Sequence, residues 1–194
     1  MAQGVRRVVV LGAGFDTLVF RLAPEFPEVE FIEIDHPATQ GAKRAVKGIA
    51  PNVRFVACDL SVDSLPDECI ADSRATLLIA EGLLMYLPGE VVERHLAHWA
   101  RALPPESSLI FTFMHRWPDG RSGFRPYSRW VDVWLAARRE PFLWAIEPGR
   151  VAGFVERAGF RLVECCGTRE LSSQAANESL DGESVATCAL NPHT

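Results

Sequence analysis

Two kinds of residue in the first half of the sequence are suited to holding a nucleotide-type ligand. In "VVVLGAGFDT" the glycines Gly12 and Gly14 follow a β-branched run. Glycines there let the chain turn sharply and bring backbone N–H groups against a ligand. Further on, three apolar runs close on Asp35-His36, Asp59-Leu60 and Glu81-Gly82. An unpaired carboxylate beside a sheet core is costly, so each of these must face water, a partner or a ligand. Asp35 follows Gly12 by 23 residues, the separation at which a second strand's carboxylate receives two ribose hydroxyls. Asp59 can accept a hydrogen bond from an adenine amino group, with Leu60 beside the ring. Glu81 can take a remaining polar group of the ligand or orient the loop after its strand, and His36 and Gly82 share the same crevice.

Asp16 discriminates between ligands. The dinucleotide fingerprint G-x-G-x-x-G reads G-A-G-F-D-T here, with Thr17 in place of the third glycine. An aspartate at the start of the following helix repels a pyrophosphate, whereas it welcomes an amino group. S-adenosyl-L-methionine carries adenine, ribose, a sulfonium and an amino-acid end but no phosphate, and is the expected cofactor. Asp16 is equally suited to capping its helix. The rival expectations are a nicotinamide-dependent oxidoreductase and a cofactor-binding module without turnover.

The elements that must position these residues can be read from the apolar pattern. "RRVVVLGAG", "VEFIEID", "NVRFVACDL", "ATLLIA" and "SSLIFTFM" read as strands. "FDTLVFRLAPEF" places Phe15, Leu18, Val19 and Leu22 on one helix face, and "PATQGAKRAVKG" is a second helix ending at Gly48. "GEVVERHLAHWARAL" is an amphipathic helix with Val91, Val92, Leu96, Trp99, Ala100 and Leu103 inward. His95 and His98 fall on its solvent side or flank, and no metal-binding set is formed. Residues 116–149 read as a loop-helix insertion near the substrate side, with "WVDVWLAARRE" as its helix and a shorter helix beginning around Pro148. "FRLVECC" and "SVATCAL" are two further strands joined by a polar connection. The expected architecture is one α/β domain over 1–194. It is a doubly wound, mostly parallel seven-stranded sheet with an antiparallel edge strand.

Composition narrows the classes. The chain has 194 residues, 20 Lys+Arg against 25 Asp+Glu and a formal charge of -5. Binding to a phosphate backbone needs concentrated positive charge, so no nucleic-acid partner is expected. No apolar run reaches membrane-spanning length, and Met1–Arg7 leaves no room for a leader before the first strand. Five cysteines without a CxxC or Cys/His spacing suggest reduced thiols of a cytoplasmic protein. Trp130, Trp134 and Trp144 are spaced like packing residues or like contacts of a homodimer.

"VLGAGFDTLVFRL", "EIDHPATQ", "ACDL" and "IAEGLLMYLP" resemble the leucine carboxyl methyltransferase-like family of S-adenosylmethionine-dependent methyltransferases. "FTFMHRW" and "EPFLWAIEPGRVAGFVERAGFRLVE" look like its bacterial O-methyltransferase branch. The resemblance implies a Rossmann-like fold and a small-molecule methyl acceptor, acidic or phenolic. It implies that Gly12 and Gly14 line the cofactor turn, Asp35 holds the ribose, and Asp59 and Leu60 contact adenine. Glu81 then lies against the cofactor and Tyr86 faces the transferred methyl. Family members usually carry a helical segment of several dozen residues before the first strand, with a basic residue for the cofactor's carboxylate and a lid. Here the first strand opens by about Val8, so a shortened product or a site closed by pairing is expected. Methyl transfer needs alignment and exclusion of water. A carboxylate acceptor needs no base, whereas a hydroxyl needs one, from His115, His36 or Tyr86. Arg116, followed by Arg121 and Arg125, can clamp an acidic substrate.

Overall fold

The computed structural model describes residues 4–43, 49–125, 141–167, 170 and 181–191. Its strands are β1 (Arg7–Leu11), β2 (Glu30–Asp35), β3 (Val53–Ala57), β4 (Thr76–Ala80), β5 (Ser108–Met114), β6 (Phe160–Gly167) and β7 (Glu183–Leu190). They form one sheet in the order β3-β2-β1-β4-β5-β7-β6. Strands β1 to β5 pair in parallel, and β7 runs antiparallel to both neighbours, β5 and β6. The expected doubly wound, mostly parallel seven-stranded sheet is what forms. The antiparallel pair lies at one edge, with β6 outermost. Strand order reverses between β1 and β4, the place where an open sheet opens its crevice.

Register explains the layers. Val9, Leu78, Leu109 and Cys188 stand in one row across β1, β4, β5 and β7, and all four are fully buried. Helix α3 (Gly89–Ala102) and helix α4 (Val151–Ala158) pack over that face with Val92, Leu96, Trp99, Val151 and Val155. The inward positions of α3 are those its periodicity predicts, with one addition. His95, expected on the solvent side or flank, is completely buried. Its Nε2 lies 2.7 Å from the Leu60 carbonyl oxygen, and its ring stacks on Trp99 at 5.4 Å. The hydrogen bond offsets the cost of burying a polar ring, so the apolar neighbour one turn on can pull it inward.

The opposite face carries helix α1 (Leu18–Leu22) and helix α2 (Pro37–Lys43). Phe15 does not join the inner face of α1 and is 75% exposed, because the helix begins only at Leu18 and the preceding residues form the glycine turn. Glu33 points from β2 into this layer and is buried with Lys43 Nζ at 2.8 Å. Burial pushes the Glu33 carboxyl up, against the pull of the Lys43 ammonium. At the amino end of β1, buried Arg7 donates to Glu30 at 2.8 Å, to Asp72 and to the Cys69 carbonyl at 3.1 Å. That arginine closes the end of the sheet farthest from the crevice. The expected helix of the 116–149 insertion, with Trp130, Trp134 and Arg139, lies outside the described residues, as does most of the polar connection between β6 and β7. None of the described helices is long and apolar enough to cross a membrane.

Candidate functional site

The carboxyl ends of β1, β2 and β4 meet at the glycine turn. Gly12 and Gly14 have φ of +64° and +49°, the left-handed region that glycine enters at little cost. A Cβ built on Gly12 would lie 2.8 Å from Leu83 Cδ1, so the turn has no room for a side chain there. The Gly12 N–H donates to the Ile34 carbonyl at 2.8 Å, which ties the turn to the end of β2. Asp35, half-buried at that end, accepts from the Gly14 N–H and from the His36 N–H, the latter at 2.6 Å. Each carboxylate oxygen has a second lone pair, so hydroxyls of a bound ribose can still be accepted.

Asp16 is not the N-cap foreseen for it, a position held by Thr17, because the helix starts only at Leu18; from one residue earlier, one carboxylate oxygen accepts from the N–H groups of Thr17 at 2.5 Å and Leu18 at 3.1 Å. Asp16 also lines a pocket of about 410 Å³ between β1 and β4. Gly12, Arg21, Ile79, Glu81 and Gly82 contribute to the same walls. Asp59 stands beyond β3, where the Ser61 hydroxyl at 2.6 Å and the Ser61 N–H at 3.0 Å hold its carboxyl below its ordinary value. His36 Nε2 is 3.8 Å from Asp59, so these two span the gap between β2 and β3. Leu60 is buried in the core, and its carbonyl receives His95.

Asp35, His36, Asp59 and Leu60 do not line that pocket, and Tyr86, His115 and Arg116 are placed apart from it as well. Tyr86, on the one-turn helix Leu84–Tyr86, is half-buried with its ring 5.7 Å from Phe142. His115 is buried at the end of β5, with Nε2 at 2.8 Å from Ser184 Oγ and Nδ1 at 4.0 Å from Asp181. Arg116 is exposed and lines a different hollow with Arg150, Arg157 and the buried Trp144. Two residues not singled out from sequence support the loop after β4. The Thr112 hydroxyl oxygen accepts the Gly82 N–H at 2.9 Å, and its proton goes to Glu183. A lone hydroxyl within the apolar run "LIFTFM" is the signal that marks Thr112.

Burial lowers the pKa of both His95 and His115. As pH falls below about 6.5 the unfolded chain therefore binds more protons than the folded one. The stability contributed by the neutral rings is complete above that value. It is lost as pH falls toward the folded pKa values, at up to about 1.4 kcal/mol per pH unit for each ring. Glu33 and Glu183, both raised by burial, act in the opposite sense. The urea midpoint is expected to drop between about pH 7.5 and about pH 5.5. The drop should be shallower in His115→Gln, which keeps a partner for Ser184. Equal slopes in the two proteins would remove His115 from the account.

The geometry can be set beside known proteins. The leucine carboxyl methyltransferase family model matches residues 1–100, just over half of the 194-residue chain. The chain belongs to the leucine carboxyl methyltransferase family. Among relatives of this methyltransferase-family chain, a Mycolicibacterium vanbaalenii protein assigned as an S-adenosyl-L-methionine-dependent methyltransferase is 37% identical over 125 residues. That match covers 59% of this chain and 40% of the relative. A Streptomyces coelicolor protein with the same assignment is 42% identical over 105 residues, 50% of this chain and 36% of the relative. The family member described here thus spans about two fifths of the length of the curated relatives it matches. Among solved structures, a Thermobifida fusca protein assigned as a methyltransferase superposes with a TM-score of 0.69 at 20% identity, covering 97% of this chain and 74% of that one. CalO1, a methyltransferase in calicheamicin biosynthesis solved with S-adenosylhomocysteine, gives 0.62 at 16% identity, covering 96% and 49%. These two likenesses establish the fold.

Proposed function

We propose that the chain binds S-adenosyl-L-methionine and transfers its methyl group to a carboxylate or hydroxyl oxygen of a small molecule. The observation that carries this reading is the charge of the crevice. The glycine turn is flanked by Asp16, Asp35 and Glu81, an arrangement that repels pyrophosphate and suits a ligand whose groups are hydroxyl, ammonium and sulfonium. The description of the bacterial relatives as S-adenosyl-L-methionine-dependent methyltransferases supports the same choice.

The cofactor supplies a methyl group made electrophilic by its sulfonium. The chain's own residues bind and align. Asp35 accepts the ribose hydroxyls, Asp59 and His36 border the adenine beside Leu60, and Asp16 and Glu81 with Gly82 face the cationic end. Tyr86 orients the acceptor on the loop after β4. His115, neutral and bonded to Ser184, holds the end of β5 to β7 and supports the acceptor side through that strand. Arg116 belongs to the acceptor's outer reach, from its separate hollow.

Replacing Asp35 with Ala is expected to weaken S-adenosylhomocysteine binding about 10- to 100-fold, the worth of a charged hydrogen bond. Calorimetric titration measures it, with NAD run beside as the rival ligand. Unchanged affinity would remove Asp35 from the ribose site, and tight NAD binding without the sulfur nucleotide would overturn the reading as a whole.

A further inference from the structure

Away from the acidic glycine turn, positive charge gathers in a second hollow of about 570 Å³. Arg116, beyond β5, and Arg150 and Arg157, at either end of α4, line it. Glu147 is the one carboxylate among its described lining residues, which leaves three positive charges against one negative in a chain whose formal charge is -5. Elsewhere the arginines are matched: Arg7, Arg54 and Arg74, at the amino end of the sheet, meet Glu30, Glu68 and Asp72. Ile146, Phe154 and the buried Trp144 supply the apolar wall of the hollow. It shares no residue with the pocket that Asp16 and Glu81 line.

Each of the three guanidinium groups is held by a contact that engages one nitrogen. Arg116 Nε donates to the Ala145 carbonyl at 3.4 Å, Arg157 Nη1 to the Gly153 carbonyl at 3.0 Å, and Arg150 Nε lies 3.1 Å from Glu147. Arg157 also lies over the Phe154 ring, 5.9 Å from its centroid. A guanidinium has five N–H donors, so most remain for solvent or a ligand. Like charges gathered without matching carboxylates repel one another, and an anion between them removes that repulsion. A phosphate monoester brings close to two negative charges and three acceptor oxygens, which guanidinium groups meet with paired hydrogen bonds. We infer that this hollow binds the phosphoryl group of a small phosphate monoester, whose carbon part lies against Ile146, Trp144 and Phe154. The inference does not rest on the cofactor reading, because the two sites are separate and select opposite charges.

The test titrates the chain calorimetrically with phenyl phosphate, inorganic phosphate and benzoate. Wild type is expected to bind phenyl phosphate at least about tenfold tighter than benzoate, which has one charge and two acceptor oxygens. It should also bind the ester about threefold tighter than inorganic phosphate, which lacks the apolar part. Arg150→Gln and Arg157→Gln are each expected to weaken phenyl phosphate about 3- to 10-fold, the scale of a partly exposed charged hydrogen bond. Arg161→Gln removes the same charge from β6, outside the hollow, and should change the affinity by less than about twofold. An equal loss in Arg161→Gln overturns the assignment, since a general field would then attract the anion. Benzoate as tight as phenyl phosphate overturns the choice of a phosphoryl group, and inorganic phosphate as tight as the ester overturns the role of the carbon part. Unchanged affinity in both Arg150→Gln and Arg157→Gln, or no binding of phenyl phosphate by wild type, overturns the site itself.

Discussion

Gly182→Ala is expected to destabilise the folded chain by about 2–4 kcal/mol, through backbone strain compounded by overpacking. Gly182 has a φ of +135°, and a Cβ there would meet the Gly123 carbonyl oxygen at 2.4 Å and Phe124 Cα at 2.8 Å. Both are backbone atoms that cannot rotate aside, so either the 123–124 segment or the start of β7 must move. The Gly182 carbonyl also accepts the His115 N–H at 2.7 Å, which carries the disturbance to the end of β5. Gly120→Ala is the control. Its φ is +82° but nothing lies within 4 Å of a built Cβ, leaving only the conformational cost of about 1 kcal/mol. Urea unfolding of both variants decides the matter: equal losses would mean that the contact at Gly182 counts for nothing.

Gly12→Val is expected to weaken S-adenosylhomocysteine at least about 100-fold, close to 2.7 kcal/mol, while unfolding stays cooperative. A β-branched residue is strongly disfavoured at a φ of +64°, and its Cβ would lie 2.8 Å from Leu83 Cδ1 and 3.2 Å from Leu83 Cβ. The turn must shift, and with it the Gly14 N–H that Asp35 holds. Adding Leu83→Ala should relieve the contact but not the backbone strain, so the double variant regains part of the affinity. Calorimetry together with thermal melts separates a displaced turn from a lost fold. Wild-type affinity in Gly12→Val would show that the turn does not touch the ligand.

The strands were legible because each is a nearly continuous apolar run bounded by turn residues, and burial on both faces leaves no other use for such runs. The carboxylates at their ends were legible for the complementary reason, since charge beside a sheet core calls for an explanation. What stayed hidden depends on side chains meeting across long sequence separations. His95 looks like a surface residue on the helical wheel, and only the Leu60 carbonyl, 35 residues away, makes its burial possible. Phe15 reads as a helix residue by spacing, but the glycine turn delays the helix past it. His115 and Arg116 are neighbours in sequence, yet one faces Ser184 and the other a separate hollow. Adjacent residues at a strand end diverge once the alternation of the strand stops.

The position of β7 has a consequence for how the protein is made. It follows β5 and β6 in sequence and is the sixth strand in the sheet, seated between them. Seven residue pairs join it to β5 and seven to β6. Until residue 190 has left the ribosome, β5 and β6 each present an open row of amide and carbonyl groups, and nothing native can zip them shut. Such rows are templates for pairing with another nascent chain. Contacts between segments this far apart in sequence also form slowly, because a long loop must close before they are rewarded. The vulnerable interval in this molecule's life therefore lasts until β7 has been made, and the strand that ends it also brings Ser184 to His115 and Glu183 to Thr112.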